Sequence, residues 1–241
     1  MADSVFIKEY TLRGSDFDRF KQIKPSAVLD LFQEVAGQHA CSLGVGFSDM
    51  LEKGLLWVVL KVKYQVVKVP ELYQGVRVLT WPLEQKRLDF QREYLIKDSK
   101  TGETLVKGTS QWAVIDKNTR KLTKADNVYK NIDGYCSDVN FSEKLLRIGD
   151  FQGEFKHKVT SEFTHIDPNF HVNNAKYGDY VLDAINSSQP LNIKEFQIDF
   201  HKEILNNTET DIFLEETEET VLVKGVQNDE YMFLVKIERN I

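Results

Sequence analysis

Cysteine is scarce: Cys41 and Cys136 are the only two in 241 residues, and they form no CxxC and no Cys/His spacing that suits zinc. A disulfide scaffold is excluded, no metal or cofactor is expected, and a reducing compartment is implied. Basic excess is also missing, with 31 Lys and Arg against 37 Asp and Glu and a net charge of −6. Without surplus cations to neutralise phosphates, nucleic-acid binding is excluded as well. Basic clusters such as Lys61, Lys63 and Lys68, or Lys117, Arg120, Lys121 and Lys124, read as solvated faces. No apolar run approaches the roughly 20 residues that span a bilayer. The first residues carry neither a basic-then-apolar signal nor an Arg- and Ser-rich transit pattern, so a cytoplasmic protein with no membrane insertion is expected.

What the chain does hold is a polar stretch, Asp167-Pro168-Asn169-Phe170-His171-Val172-Asn173-Asn174. In an extended segment the side chains at 167, 169 and 171 would project from one side, clustering a carboxylate, an amide and an imidazole. Tyr177, Tyr180, Val181, Ala184 and Ile185 follow at the spacing of one buried helical face. Asn173 or Asn174 is expected to cap that helix. A polar cluster at the mouth of a buried helix combines partial desolvation with oriented backbone N–H groups; a plain capped turn would use the same residue types.

The remainder predicts a strand over 5–13, then a helix from Pro25 with Val28, Leu31, Phe32, Val35 and Ala36 on its buried face. Strands are expected over 57–69, 75–81, 87–97 and 104–115, and residues 120–150 read as a connection. The order then restarts with a strand over 151–163, the polar stretch, a helix over 175–186, and strands over 195–205, 210–216, 220–226 and 231–238. One helix followed by antiparallel strands is an α+β pattern, not a βαβ one.

The restart is a weak internal duplication. An offset of 151 sets Asp16 and Asp18 against Asp167 and Asn169, and Phe20 against His171. The helix faces match at 149 (28 to 177, 32 to 181, 36 to 185), so the first linker is expected to be two residues longer. Val62-Lys63-Tyr64 matches Ile198-Asp199-Phe200 at 136, which sets Val67 against Glu203 and leaves the second copy without a loop equivalent to about 42–56. One copy is apolar where the other is polar, a division between a greasy pocket and reacting groups.

On these features the chain resembles the acyl-[acyl carrier protein] thioesterases of bacteria and plants, which have a double hotdog arrangement. The resemblance covers nearly the whole length. It rests on Asp167-x-Asn169-x-His171-Val172-Asn173-Asn174 with Tyr177, on Ile198-Asp199-Phe200-His201-Lys202-Glu203, and on Leu29-Asp30-Leu31-Phe32-Gln33-Glu34. It implies two tandem hotdog domains, each an antiparallel sheet wrapped around a long central helix: residues 1–125 with the acyl pocket, a linker over 126–150, and 151–241 with the catalytic residues.

The same resemblance implies hydrolysis of fatty acyl-[acyl carrier protein], whose acyl chain is linked through phosphopantetheine, by Asp167, Asn169, His171 and Glu203. Val28, Leu31, Phe32, Val35 and Trp57 would line the acyl tunnel, with Asn173 and Asn174 also at the substrate. Family members often carry a cysteine after that glutamate; here the residue is Ile204, so water is the expected nucleophile. Glu203, or Asp167, would be the base, Asn169 would fix the water, and His171 would donate to the carbonyl oxygen or steady the network. Backbone N–H groups near Val172 to Asn174 would complete an oxyanion hole. An acyl-CoA thioesterase and a non-catalytic acyl-binding protein are the competing readings, and further dimerisation stays open. His39, His157, His165 and His201 are expected at the surface or half-buried, and docking of an acidic carrier predicts a basic patch.

Overall fold

A computed structural model describes residues 4–85, 88–123, 128–129, 132 and 134–240. Runs rich in valine, tyrosine and tryptophan, which favour a pleated half-buried surface, form ten strands. These are β1 (Phe6–Thr11), β2 (Leu55–Val66), β3 (Gly75–Pro82), β4 (Phe90–Asp98), β5 (Thr104–Asp116), β6 (Glu154–Thr160), β7 (Ile193–Phe200), β8 (Glu209–Glu216), β9 (Thr220–Gln227) and β10 (Glu230–Arg239). The helices are α1 (Pro25–Ser42), α2 (Phe47–Glu52) and α3 (Lys176–Ile185). The expected elements therefore recur within a few residues of their predicted places. The six-residue α2 was not expected, and it occupies the stretch that the duplication treats as an extra loop. Arg87 at the predicted start of the fourth strand, Lys124 of the second basic cluster and the expected boundary at 125/126 lie outside the described residues.

The α+β fold class holds, with a helix and an antiparallel sheet given twice, and the two half-sheets are continuous. The order is β1-β3-β4-β5-β2-β7-β10-β9-β8-β6. At the junction β2 pairs with β7 from Lys61 opposite Asp199 to Gln65 opposite Glu195, and the Tyr64 ring stacks on Phe196 at 5.1 Å. Inward residues of both half-sheets share one core with Val28, Phe32 and Val35 of α1 and Tyr177, Val181 and Ala184 of α3. Phe32 stacks on Tyr94 at 4.3 Å; burying such a side chain stabilises by about 2–3 kcal/mol. The two helices meet backbone to backbone, since a Cβ at Gly178 would come within 2.5 Å of the Ser26 nitrogen. Among the described residues no helix is long and apolar enough to cross a membrane.

Residues 140–148 of the connection between the halves form a strap across the sheet face away from the helices. Tyr94 faces α1, so its neighbour Glu93 faces the other way. There Glu93 accepts the Asn140 N–H at 2.9 Å, while the Asn140 side-chain amide donates to the carbonyls of Tyr94 and Gly108, each at 2.9 Å. Further on, Lys61 donates to the Leu145 carbonyl and the Ile148 N–H donates to Asp199. Lys63 and Lys107 flank the Phe141 ring at 4.9 and 5.0 Å. Lys61 and Lys63 thus hold the strap instead of forming a solvated face, because the residues read as a bare connection lie over them.

The duplication follows one offset through both motif and helix. The 3-10 turns Gly14–Asp16 and Phe163–His165, the bridges Phe17–Ile23 and Ile166–Val172, and the left-handed residues Lys21 and Phe170 all correspond at 149 (14 to 163, 17 to 166, 21 to 170). Hydrogen bonding agrees: the Asp18 N–H donates to the Gln22 carbonyl, and the Asp167 N–H to that of His171. Asp18 therefore aligns with Asp167, Phe20 with Asn169 and Gln22 with His171, correcting the 151 offset and removing the two-residue insertion. The physical signature is the turn carboxylate, which in both copies accepts the N–H two residues on at 2.8 Å. At the strand ends, Val67 and Lys68 both donate to the Leu105 carbonyl, and His201 and Lys202 both to that of Met232. That shared irregularity sets Glu203 opposite Val69, not Val67.

Candidate active site

Residues 166–172 form a tight turn closed by the Ile166–Val172 bridge, with Phe170 reversing the chain at φ 68°. The three polar side chains are thus not spread along an extended strand, as the spacing predicted; the Asp167 N–H instead donates back to the His171 carbonyl at 3.0 Å. Asp167 is fully engaged, Oδ1 accepting the Asn169 N–H at 2.8 Å and Oδ2 the Asn169 side-chain amide at 3.1 Å.

A second segment meets the turn. β7 ends at Phe200, short of the predicted 205, and the chain beyond it bridges His171 to Leu205 while the Val172 N–H donates to the Ile204 carbonyl at 2.8 Å. Ile204 is fully buried while Glu203 and Leu205 point outward. The Tyr177 hydroxyl lies against the Ile204 backbone, and its pKa is pushed above the ordinary phenol range chiefly by burial. Position 204, where the family resemblance looks for a cysteine, therefore faces the core.

His171 stands between two carboxylates. Its Nδ1 lies 3.3 Å from the Val172 carbonyl and 3.8 Å from Asp167 Oδ1, and its Nε2 lies 3.8 Å from Glu203 Oε1. Since both neighbours of Nδ1 are acceptors, the geometry assigns that nitrogen the hydrogen. Nε2 faces the Glu203 carboxylate at a distance too long for a direct hydrogen bond, where a water beside the pair can reach both. The side chains of Asp167 and His171 are 13% and 18% exposed and that of Glu203 37%, so the cluster opens at its Glu203 side.

The four residues singled out in the sequence thus come together, joined by one that was missed. Arg120, read above as part of a solvated basic face, forms an ion pair with Glu203. No local signal marks it, because the contact joins residues 83 apart in the chain.

The remaining expectations divide. Asn173 does not cap α3 as predicted: the N-cap is Ala175, without a side-chain cap bond. The Asn173 Oδ1 serves the preceding turn, accepting the Ala175 N–H at 2.9 Å and the Gln33 side chain at 3.1 Å. Asn174 is half-buried beside it. The backbone N–H groups of Val172 and Asn173 donate to the carbonyls of Ile204 and His165, so these two are spent on the fold and do not serve an oxyanion.

Val28, Phe32 and Val35 are in the main core with Leu31 packed against it. Trp57 is apart from them, in a second cluster with Met50, Phe90 and Val114. Between the two, on the same side of β4, lies Arg92, 4% exposed, its guanidinium on His39 Nδ1 at 3.0 Å and Thr80 Oγ1 at 3.2 Å. His39 is therefore buried, contrary to expectation, because it lies on the α1 face that covers the sheet. A groove of about 610 Å³ runs along α3 between Asp18, Phe20, Lys24, Tyr180, Asp183 and Leu191, and its lining includes none of the four clustered residues. In it the Tyr180 hydroxyl meets His165 Nδ1 at 2.8 Å, and burial pushes that hydroxyl up to about 12.

Comparison with known proteins agrees with this architecture. Residues 3–132 match the acyl-ACP thioesterase N-terminal domain, and residues 150–240 match the acyl-ACP thioesterase C-terminal domain. A chloroplastic palmitoyl-acyl carrier protein thioesterase of Arabidopsis thaliana is 32% identical over 206 residues, covering 80% of this chain and 49% of its own. A chloroplastic dodecanoyl-[acyl-carrier-protein] hydrolase of Cinnamomum camphora is 27% identical over 214 residues, covering 83% and 56%. The chain spans about half the length of the curated relatives it matches. Among solved structures, an acyl-ACP thioesterase from Bacteroides thetaiotaomicron superposes with a TM-score of 0.86 at 24% identity, covering 98% of this chain and 97% of that one. The 12:0-ACP thioesterase from Umbellularia californica does so with 0.85 at 22%, covering 97% and 96%. These likenesses establish the double hotdog fold. With both domains of one family matched in order along it, the chain belongs to the acyl-ACP thioesterase family.

Proposed function

We propose that this protein hydrolyses the thioester between a fatty acyl chain and the phosphopantetheine arm of acyl carrier protein, releasing free fatty acid and ending chain elongation. The observation that carries this reading is the placement of His171 between Asp167 and Glu203, at the same distance from each. A purely structural turn has no need of an imidazole set between two carboxylates.

The proposed chemistry uses water. A water beside the His171–Glu203 pair donates one hydrogen to His171 Nε2 and one to Glu203, which leaves its oxygen lone pairs free to attack the thioester carbon. Glu203 is the base in preference to Asp167, because both Asp167 oxygens are already engaged by Asn169. Asp167 instead holds the Asn169 amide and the Nδ1–H edge of His171. The second hydrogen of the Asn169 amide is the donor offered to the developing oxyanion, a contact of the kind worth roughly 100- to 1000-fold in rate. The thiolate leaving group barely needs a proton. The two unpaired cysteines, Cys41 and Cys136, support a cytoplasmic setting.

Steady-state kinetics on a panel of acyl-carrier and acyl-CoA thioesters, with products identified by mass spectrometry, test the reading. Glu203→Gln and His171→Ala are expected to cut kcat by at least about 100-fold on carrier-linked substrates. Full turnover by both variants, or no release from any thioester by the parent, overturns it.

A further inference from the structure

Arg120 lies in the first half of the chain, four residues past the end of β5, yet its guanidinium closes on the carboxylate of Glu203 in the second half. Its backbone is unusual. Arg120 adopts φ 57°, a left-handed conformation that disfavours residues with a Cβ. The turn around it is fixed by many contacts. The Asp116 carboxylate accepts the N–H groups of Asn118 and Thr119 at 3.1 and 2.8 Å and the Thr119 hydroxyl at 2.9 Å, which holds its pKa below the ordinary carboxylate range. The Arg120 N–H donates to the Asp116 carbonyl, and the Lys117 N–H ties the turn to Gly54 at the foot of β2.

The left-handed conformation is part of how this turn closes, with the Asp116 N–H donating to the Lys121 carbonyl. Its effect is to aim a guanidinium across the junction at a carboxylate that lies 3.8 Å from His171 Nε2. Glu203 needs such a tether, because it follows the end of a strand, is more than a third exposed and, apart from Arg120, has only the His171 imidazole near its carboxylate among the described contacts. A free glutamate there would sample several rotamers.

We propose that Arg120 is a positioning residue: it holds Glu203 against His171, so that the site carried by the second half is completed by the first. This rests on the hydrolytic reading above. It makes the strained turn after β5 a determinant of turnover and not a docking feature.

The test compares Arg120→Ala, Arg120→Lys and Glu203→Gln on an acyl-carrier substrate and on a short acyl-N-acetylcysteamine thioester that has no carrier. Arg120→Ala is expected to lower kcat on both by on the order of 10- to 100-fold with little change in KM, as small misplacements of a catalytic group do. Arg120→Lys is expected to retain part of the lost rate. Added guanidinium ion, at concentrations that leave the parent unaffected, is expected to restore part of the Arg120→Ala rate, which no merely structural role would allow. Circular dichroism of each variant confirms that it is folded. If Glu203→Gln is inactive while Arg120→Ala turns over normally, the positioning role is wrong and the hydrolytic reading stands. If Arg120→Ala raises KM for the carrier substrate alone, Arg120 is a docking residue and the proposal falls. If Glu203→Gln is fully active, the hydrolytic reading fails, and this inference with it.

Discussion

Gln33 on α1 donates its side-chain amide to Oδ1 of Asn173, 140 residues later, over 3.1 Å. That oxygen also receives the Ala175 N–H, so one side chain ties the start of α3 to the helix of the other half. Asn173→Ala is expected to cost about 1–2 kcal/mol, since it orphans a donor at a helix entrance as well as the Gln33 amide. Gln33→Ala, which removes one bond only, is expected to cost about 0.5–1.5 kcal/mol. Urea melts of both singles and the double would show non-additive losses; strict additivity would mean the two side chains are not coupled.

Gly178 sets how closely the helices approach. Alanine in a helix is favoured over glycine by about 1 kcal/mol, so propensity alone predicts stabilisation. The added Cβ would instead meet backbone atoms of Ser26 and Pro25 at 2.5–3.0 Å, which no rotamer change can relieve. Overpacking of this kind costs about 1–3 kcal/mol or more, so Gly178→Ala is expected to lower the melting temperature. An unchanged or raised Tm would show that the helices separate easily.

Phe170 carries two local costs, a left-handed backbone and a side chain 82% exposed. Asparagine tolerates that backbone and loses no buried area, so Phe170→Asn is expected to stabilise by up to about 1 kcal/mol. A thermal melt decides it, and a loss of stability would reveal packing by Phe170 that its exposure conceals.

Asn140 holds the strap to the back of the sheet with its side chain. Asn140→Ala leaves the Tyr94 and Gly108 carbonyls without that donor and is expected to cost about 1–3 kcal/mol. Limited proteolysis should then cut within 134–150 sooner than in the parent; equal cleavage rates would mean the strap is held elsewhere.

Two acids pull the pH dependence of stability in opposite directions. Asp98 is held well below the ordinary carboxylate range, first by the Thr101 N–H and then by Gln74. Its contribution is complete above the ordinary aspartate pKa and is lost as pH falls towards the lowered value. Glu93 is raised by burial despite bonds from Thr109 and Asn140. Its protonated form is the favoured one in the fold, so stability is lost as pH rises from the ordinary glutamate value through the raised one. Urea melts between about pH 3 and 7 should therefore show Asp98→Asn with a flatter acid limb than the parent, and Glu93→Gln improving relative to the parent as pH rises. The reverse slopes would contradict these assignments.

The strands were legible because valine, leucine, tyrosine and tryptophan gather in runs divided by turn residues, and α1 and α3 because their apolar positions recur at helical spacing. α2 was not, since six residues between Phe47 and Glu52 hold too little periodicity to separate from a loop. Asp16 and Asp18 misled the repeat register because either fits an Asp-x-Asn pattern; only the turn hydrogen bonds distinguish them. Asp167, Asn169, His171 and Glu203 stood out by residue type. Arg120 did not, because a cation in a charged run looks the same whether it meets solvent or a glutamate from the other half.

The pairing of β2 with β7 also decides where this molecule is open to others. Joining the halves through their central strands leaves, among the described residues, β1 and β6 as the rims, at opposite ends of the ten-stranded order. Both rims carry lysines and glutamates, Lys8 and Glu9 on one and Glu154, Lys156 and Lys158 on the other, which discourages strand addition by a neighbour. Either half made alone would expose β2 or β7 instead, and the covered stretch of β2 carries the buried Val62 and Tyr64. Duplication within one chain thus covers the edges of these two central strands by setting each against the other.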